Sequence, residues 1–302
     1  MGLKNFFDFA AIATITFALV ACGSNQEKPK AEETTPAANE QTTVTENAAQ
    51  VAESADFKTI TLASGATVTW IKDNADNKLN PRSLFNDATD EQYASINMPE
   101  GIPASMSVFL LKVDGEYVLF DAGLGDFGGQ MMARFAKLNI NVDDIKFIYL
   151  THLHVDHISG LVKKTDTGFE KIFRNAAIYL SKAEHDGWMN DIEKNDLQKA
   201  ILGIYSDSLH LFTFGDKLPH DVEVIGAVGH TPGHAAFRYN ELLVVGDLMH
   251  GYALQIKYPE INSNYDQDKA KSIESRKRLL EYAKTNKLIM AGMHFAAPGF
   301  TE

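Results

Sequence analysis

The feature that most constrains the fold of this chain is a six-residue segment, His-Leu-His-Val-Asp-His, at residues 152–157. Strand side chains alternate between two faces, so His152 and His154 point the same way on an extended segment. The chain then turns into a helix at Asp156 and His157. Because burying this much polarity without a cation is costly, the segment predicts a metal site. Imidazole and carboxylate groups at this spacing can serve two ions at once.

Three further candidate ligands, His230, Asp247 and His294, each follow an apolar run of their own. Polar residues therefore appear where strands end, which is where α/β proteins place their ligands. Taken singly, each has a simpler interpretation. His230 and His294 would fit hydrogen-bonded structural histidines, and Asp247 would fit a turn cap. The histidine-rich segment makes all three candidates for the same metal site.

The order of apolar runs and helix-type segments indicates the fold class. From Phe57 onward, short strand-type runs alternate with two helix-type segments, Asp191–Tyr205 and Asp266–Lys284. The predicted strands are Thr67–Lys72, Met106–Val113, Tyr117–Asp121, Lys146–Leu150, Ala176–Leu180, Val222–Val228, Ala235–Tyr239, Leu242–Gly246 and Leu288–Gly292. Two strand-rich halves in mixed β and α order predict layered α/β packing.

Composition excludes several classes of protein. The chain has 302 residues, of which 45% are apolar and 23% charged, close to the average for soluble globular proteins. A collagen, a coiled coil, a wholly disordered chain and a polytopic membrane protein are therefore excluded. The 40 acidic residues outnumber the 28 basic ones, for a net charge of −12. A nucleic-acid-binding protein usually has the opposite sign, so we expect no nucleic-acid partner.

The single cysteine, Cys22, lies at the end of an apolar run that begins at Phe9. The run is too short to cross the roughly 30 Å hydrocarbon core of a bilayer, but it fits the apolar region of a signal peptide. The residues around Cys22 resemble a bacterial lipobox, which implies cleavage before Cys22 and its lipidation. An ordinary secretory signal with an incidental cysteine is the alternative. The body of the protein, lacking cysteine, has neither a disulfide nor a Cys ligand.

Residues 22–56 differ in composition from the rest of the chain. They contain seven acidic residues, two lysines and no aromatic residue. Too little apolar surface is present to offset the chain entropy lost on folding, so we expect a disordered acidic tether. The predicted organisation is a signal peptide at 1–21, a lipidated Cys22 with its tether at 22–56, and one domain at 57–302. Gly23, which stands where aspartate often signals inner-membrane retention, favours an outer-membrane lipoprotein facing the periplasm, with membrane contact only through this anchor.

The seven candidate ligands together resemble the metal-binding set of the metallo-β-lactamase-fold hydrolases. The resemblance implies an α/β fold, a four-layer αββα sandwich, with the site at one edge of its two sheets. It also implies two Zn²⁺ ions, or other divalent metals. In the family pattern, the ligands of one ion are His152, His154 and His230, those of the other are Asp156, His157 and His294, and Asp247 bridges them. Asp121 resembles a buried aspartate that orients histidines, and His234 is a candidate for a similar supporting role.

Longer segments, Gly229–His234, Gly246–Gly251 and Gly292–Phe295, resemble the group that contains methyl parathion hydrolase and N-acyl homoserine lactonases. This resemblance implies a small-molecule lactone or ester as substrate, with phosphotriesters as a further class, and it allows a homodimer. A hydroxide shared by the two ions would attack the substrate, and Asp156 and Asp247 would be the catalytic carboxylates.

Several alternatives remain at this point. A periplasmic metallo-β-lactamase would fit the predicted export, but such enzymes usually carry Cys or Ser where this chain has Asp247. Glyoxalase-type thioesterases carry a helical module, and nuclease relatives carry a basic groove, that this sequence lacks. A non-catalytic metal-binding lipoprotein is the alternative from another class. Four apolar residues could line an acyl pocket or simply pack in the core or a lid: Phe85, Met98, Met106 and Phe295.

Overall fold

The computed structural model describes residues 54–190 and 195–301. The predicted signal peptide, Cys22 and the tether up to residue 53 lie outside the described residues, so their predictions stay predictions. Within the described ranges, no helix combines the length and the apolar character needed to cross a membrane.

The described chain contains sixteen strands and seven α-helices, joined by loops and short 3-10 turns. In chain order, the strands are β1 Phe57–Thr61, β2 Thr67–Lys72, β3 Lys78–Asn80, β4 Ile102–Ala104, β5 Ser107–Val113, β6 Glu116–Phe120, β7 Ile145–Tyr149, β8 Val162–Thr165, β9 Gly168–Lys171, β10 Ala177–Ser181, β11 Leu209–Phe212, β12 Lys217–Leu218, β13 Val222–Gly226, β14 Ala235–Tyr239, β15 Leu242–Gly246 and β16 Ile289–Gly292. The helices are α1 Asp90–Ser95, α2 Met131–Lys137, α3 Val155–Ile158, α4 Lys182–Met189, α5 Asp196–Ile204, α6 Tyr252–Gln255 and α7 Lys269–Asn286.

Twelve of the strands form two mixed sheets. The larger sheet has the order β1-β2-β5-β6-β7-β10-β11, and it is parallel from β6 to β11. The smaller has the order β12-β13-β14-β15-β16, with only β15 and β16 parallel. The remaining strands form two short antiparallel pairs, β3 with β4 and β8 with β9.

Three apolar clusters show how these elements are layered. Between the two sheets, Phe109 and Phe120 of the larger sheet pack in one cluster with Phe237 and Val244 of the smaller sheet. The outer face of the larger sheet packs against α2 and α5, through residues that include Ile148, Phe135 and Ile201. The outer face of the smaller sheet packs against α7, through residues that include Leu243, Leu279 and Ala283. Because each sheet buries one face on the other and one on helices, the fold is the predicted αββα sandwich.

All nine predicted strands form, with ends that differ by at most two residues. The helices differ more. The predicted helix Asp191–Tyr205 is in part α5, which starts at Asp196, and residues 191–194 lie outside the described ranges. The predicted helix Asp266–Lys284 starts three residues late, because the Asp268 side chain caps α7 by accepting a hydrogen bond from the backbone N–H of Lys271.

Candidate metal centre

The loops that follow four strands meet at one edge of the sandwich. β7 leads into the histidine-rich segment, and α3 begins at Val155, so the predicted turn into a helix is confirmed. The loops after β13, β15 and β16 bring His230, Asp247 and His294 to the same place. The structure therefore brings together all seven residues that the sequence predicts as ligands.

One group of candidate ligands consists of three histidines and a carboxylate. Nδ1 of His154 lies 2.9 Å from Nε2 of His152 and 2.9 Å from Nε2 of His230. Oδ2 of Asp247 lies 3.3 Å from the same nitrogen of His230. One ligand atom from each of these four residues lies within 4.8 Å of the others, which is compact enough for a single ion.

The other group consists of Asp156, His157 and His294 and also borders Asp247. Oδ2 of Asp156 lies 3.6 Å from Nε2 of His157 and 3.4 Å from Nε2 of His294. Asp247 reaches this group too, since its Oδ1 lies 3.2 Å from Nε2 of His157 and its Oδ2 lies 3.0 Å from Nε2 of His294. Asp247 thus contacts both groups, as a bridging carboxylate must.

Three histidines of the centre face a hydrogen-bond acceptor at each ring nitrogen. On the outer side, Nδ1 of His157 lies 2.7 Å from Oδ2 of Asp121, and Nδ1 of His294 lies 3.0 Å from the carbonyl oxygen of Ser105. Nδ1 of His230 lies 3.2 Å from Oδ1 of Asp266. On the inner side, all three Nε2 atoms face Asp247. A neutral imidazole has one N–H, so none of these rings can donate to both neighbours.

This count of protons tests whether a divalent cation fits the centre. If each outer nitrogen donates, the inner nitrogens present lone pairs to a carboxylate, and that contact is repulsive unless a cation lies among them. Nε2 of His157 and Oδ1 of Asp247 are indeed buried without a hydrogen-bond partner. Neutral imidazole and carboxylate are the ligands that zinc takes. The residues present therefore fit a divalent metal.

The carboxylates also control the pKa values of the histidines. Burial opposes the charged form of His157, but Asp247, Asp156 and Asp121 hold its pKa well above the usual value. Burial likewise opposes the charging of His230, yet Asp247 and Asp266 raise its pKa to about 9. The surrounding histidines, in turn, keep the pKa of Asp247 well below its usual range despite its burial. Without a cation, the carboxylates would therefore draw protons onto these two rings.

Comparison with known proteins identifies the family. The sequence model of the metallo-beta-lactamase superfamily matches residues 103–294, well over half of the chain. The chain belongs to the metallo-β-lactamase superfamily. A probable metallo-hydrolase of Methanocaldococcus jannaschii is 28% identical to it over 169 residues, which cover 55% of this chain and 67% of that protein.

Two solved structures share the architecture of this chain. The hydrolase AbOPH superposes with a TM-score of 0.73 at 22% identity, covering 83% of this chain and 94% of that one. AidC, described as a dizinc quorum-quenching lactonase in complex with its product N-hexanoyl-L-homoserine, superposes with a TM-score of 0.72 at 25% identity. That superposition covers 81% of this chain and 92% of AidC. The chain is thus a metallohydrolase of this superfamily. Its clusters of histidine and aspartate side chains are suited to binding divalent metal ions.

The sequence predicts supporting roles for Asp121 and His234, and both residues contact the candidate metal centre. Asp121 accepts hydrogen bonds from the backbone N–H and the hydroxyl of Thr151, at 2.7 and 2.8 Å, besides its contact with His157. His234 is fully buried. Its Nε2 accepts a hydrogen bond from the backbone N–H of Asp247 at 3.1 Å, and its Nδ1 donates to the carbonyl oxygen of Ala227. His234 therefore holds the backbone of Asp247.

Sequence reasoning gave less weight to two residues of the centre. His250 is not among the predicted ligands, yet its Nε2 lies 3.2 Å from Oδ2 of Asp247 and its ring stacks on that of His294. Burial lowers the pKa of His250 to about 4, although Asp247 opposes this, so the ring is neutral. Asp266 is predicted to begin a helix but instead accepts from His230 and pairs with Arg276. For His250, the sequence signal that could have indicated its place in the centre is its spacing of three residues from Asp247.

A cavity of about 360 Å³ opens onto the centre. Its apolar wall is formed by Met106, Leu124, Val155 and Tyr265, and its remaining lining residues are Lys78, Asn80, His154, Asp156, Asp247, His250 and His294. Of the four residues that the sequence offered for an acyl pocket, only Met106 lines this cavity. Phe85 and Phe295 are 1% and 2% exposed and pack in apolar clusters, as does Met98 at the edge of one of them.

Proposed function

We propose that this chain is a dinuclear zinc hydrolase that opens lactones or cleaves esters, with phosphotriesters as a further substrate class. One observation carries the proposal. The two groups of candidate ligands, which share Asp247, meet at a cavity that apolar side chains also line. An electrophilic carbonyl placed on the polar side leaves an acyl chain against Met106, Leu124 and Val155.

The residues that would hold the ions follow from the two groups. His152, His154 and His230 would hold one ion, and Asp156, His157 and His294 the other, with Asp247 bridging them. Bound divalent cations supply Lewis acidity, which polarises a substrate oxygen and lowers the pKa of water toward neutral. Asp121, Ser105 and Asp266 accept the outer N–H groups of the histidines and so fix the orientation of their rings.

The chain's own residues then act on the substrate. Asp247 has an oxygen, Oδ1, without a hydrogen-bond partner among the described residues, and its low pKa keeps it ionised at neutral pH. It can therefore orient the attacking water, accept its proton during attack and pass that same proton to the leaving oxygen. Asp156 also lines the cavity, and although burial opposes it, His157 and His294 lower its pKa, so it is ionised and can orient the water or the substrate by accepting hydrogen bonds. His250 lies beside Asp247 and presents a neutral ring to the cavity.

The lactonase AidC supports a lactone as the substrate, because it superposes over 92% of its length and its structure contains an acyl-homoserine product. The experiment is to load the full chain with Zn²⁺, count the bound metal, and follow acid release from short- and long-chain N-acyl homoserine lactones. Asp247→Ala is the blank. We expect turnover that the blank lacks.

Two outcomes would overturn the proposal to different degrees. A protein that binds no metal would remove the zinc hydrolase altogether. A protein that binds two metals but opens no lactone would keep the hydrolase and exclude the lactonase, and phosphotriesters, simple esters and β-lactams would then be tried in turn. If the chain were inactive on all of these substrates, the remaining alternative would be a non-catalytic metal-binding lipoprotein.

We also propose that Cys22 anchors the domain to the outer membrane on its periplasmic side. The lipobox-like sequence around Cys22 and the acidic composition up to residue 53 support this location. Cys22→Ser should move the protein from the membrane fraction to the soluble fraction and abolish labelling with a fatty acid. Membrane retention of an unlabelled variant would exclude the lipid anchor.

A further inference from the structure

Glu184, a buried carboxylate of α4, hydrogen-bonds to both loops that carry the three-histidine group. Its side chain is fully buried and accepts four hydrogen bonds. Oε1 accepts from the backbone N–H of Leu153 at 3.0 Å and from Nε1 of Trp188 at 2.6 Å. Oε2 accepts from the hydroxyl of Thr231 at 2.7 Å and from the backbone N–H of Gly233 at 2.8 Å. Across the described ranges, Glu184 has no ion-pair partner, so these donors alone compensate its charge.

All four donors adjoin the same three histidines. Leu153 lies between His152 and His154 in the sequence. Thr231 follows His230 directly, and Gly233 lies two residues further on. Trp188 packs edge-on against the ring of His154, with the ring centroids 5.5 Å apart. One carboxylate therefore fixes the spacing between the loop at 152–154 and the loop at 230–233.

The surrounding packing leaves these loops little freedom. A Cβ atom on Gly233 would lie 2.0 Å from the backbone nitrogen of Glu184, so the loop and the first turn of α4 are in direct contact. Ser181, which caps α4, donates its hydroxyl to the carbonyl oxygen of Gly233 at 2.7 Å. Gln198 of α5 donates to the carbonyl oxygen of Leu153 at 3.0 Å. The peptide groups beside the histidines are thus held on both sides.

The other group of candidate ligands is supported from elsewhere. His157 donates to Asp121, and His294 donates to the carbonyl oxygen of Ser105. The four hydrogen bonds of Glu184 reach neither of these histidines nor Asp156. Glu184 therefore supports only the three-histidine half, whereas Asp121 contacts His157 directly and also reaches His152 through the hydroxyl of Thr151, which lies 2.9 Å from Nδ1 of His152.

We infer that Glu184 is a positioning residue for the ion held by His152, His154 and His230, and not for the ion held by Asp156, His157 and His294. This inference rests on the proposed dinuclear centre. Removing a hydrogen-bond partner that orients metal ligands typically lowers metal affinity by about 10- to 100-fold. We expect a loss of this size at one ion and none at the other.

The test uses Glu184→Gln in two backgrounds. Glutamine keeps the shape of the side chain, but its NH₂ group faces donors and cannot accept from them, so one pair of hydrogen bonds is lost. His294→Ala disables one half of the centre and leaves the three-histidine half, whereas His154→Ala does the reverse. The full chain of each variant is stripped of metal and titrated with Zn²⁺ against a chromophoric chelator.

In the His294→Ala background, Glu184→Gln should weaken the remaining Zn²⁺ site at least 10-fold. In the His154→Ala background, it should leave the affinity unchanged. Equal weakening in both backgrounds, or none in either, would overturn the inference. If the wild-type chain itself does not bind two Zn²⁺ ions, the proposed centre fails, and that result is separate from the behaviour of Glu184.

If circular dichroism shows that Glu184→Gln does not fold, two milder variants replace it in the test. Thr231→Val and Trp188→Phe each remove one donor to Glu184 and keep most of the side-chain volume. Each should weaken the three-histidine site several-fold in the His294→Ala background and leave the affinity in the His154→Ala background unchanged. If neither Thr231→Val nor Trp188→Phe changed the Zn²⁺ affinity in the His294→Ala background, a positioning role for Glu184 would be excluded.

Discussion

Nε2 of His294 lies 3.0 Å from Oδ2 of Asp247, while the opposite ring nitrogen lies 3.0 Å from the carbonyl oxygen of Ser105. The neutral ring has one N–H and two acceptors, so one of these contacts is repulsive unless a further cation is present. His157 and His230 are in the same position between two acceptors. The geometry of the centre is therefore favourable only when positive charge, from metal or protons, lies among these residues.

Metal removal should destabilise the protein. A ligand that binds only the folded state stabilises it by about 4 kcal/mol at a thousand times its dissociation constant. Adding EDTA should therefore lower the urea midpoint of the zinc-loaded wild-type chain, and excess Zn²⁺ should restore it. Asp247→Ala, which lacks the shared carboxylate, should respond much less to EDTA. An unchanged wild-type midpoint would contradict metal-linked stability.

Zinc binding should release protons near neutral pH. Neighbouring carboxylates raise the pKa of His157 well above its usual value and that of His230 to about 9, so both rings are protonated at pH 7 without metal. Metal ligation needs the neutral rings, so about two protons should leave as the centre fills. Affinity should accordingly fall as the pH falls below 9. Calorimetry at pH 7 in buffers of different ionisation enthalpy measures the release, and a heat independent of buffer would contradict it.

Asp121→Asn should weaken Zn²⁺ binding at the site formed by Asp156, His157 and His294, which Glu184 does not support. The amide cannot accept from His157 and from both Thr151 donors at once, so the His157 ring loses its fixed orientation. In the His154→Ala background, which isolates that site, we expect the Zn²⁺ affinity to fall by about 10- to 100-fold. Asp126→Asn, a change at an exposed carboxylate, is the matched control and should leave both affinities unchanged. If both Zn²⁺ affinities were unchanged in Asp121→Asn, a role for Asp121 in orienting His157 would be excluded.

The polar residues at the strand ends, together with the histidine-rich segment, predicted which side chains the fold brings together. His230, Asp247 and His294 are far apart in the sequence, but each follows a buried strand, and the strands end at one edge of the sandwich. The resemblance to a known family supplied the pairing of ligands and the layer order. The apolar run of each strand, which is strongly patterned, predicted its position to within two residues.

Contacts across the fold were beyond sequence reasoning. Glu184 lies in a helix of mixed composition that was not predicted, and three of its four partners are 31, 47 and 49 residues away along the chain. Asp266 has the composition of a helix start, but a buried guanidinium and an imidazole hold it outside α7. In both cases the role comes from tertiary partners that no local pattern indicates.

Asp266→Asn should destabilise the protein even without metal. Asp266 pairs with Arg276 at 3.1 Å, and both side chains are buried. Breaking a buried pair by removing one partner costs about 3–5 kcal/mol. Although burial opposes it, His230 and Arg276 lower the pKa of Asp266 to about 2, below its ordinary 3.8. The stabilisation is therefore present above about pH 4 and lost toward pH 2.

Urea unfolding of EDTA-treated protein measures the effect of Asp266→Asn. The matched double variant, Asp266→Asn with Arg276→Met, removes both charges, so it should be destabilised by less than the sum of the single changes. Additive effects would show that the ion pair contributes nothing to the free energy of unfolding.

Lys78 should favour substrates that carry a negative charge away from the scissile bond. It is the single lysine or arginine among the residues that line the cavity, and its ammonium has no hydrogen bond or ion pair within residues 54–190 and 195–301. Lys78 is half-buried at the start of β3, on a short strand pair. Two opposite charges about 4 Å apart at a protein surface attract by about 1 kcal/mol in water and more where water is excluded. Lys78→Met should therefore lower kcat/KM at least several-fold for an ester whose acyl chain ends in a carboxylate.

A neutral ester of the same length separates this charge effect from a change of shape. Lys78→Met should leave its kcat/KM nearly unchanged, and Lys78→Arg should retain most of the preference for the charged ester, because the positive charge remains. The charge contribution should also shrink as salt is added, since Lys78 is open to solvent on one side. If Lys78→Met slows both esters equally, the lysine shapes the cavity and does not select charge.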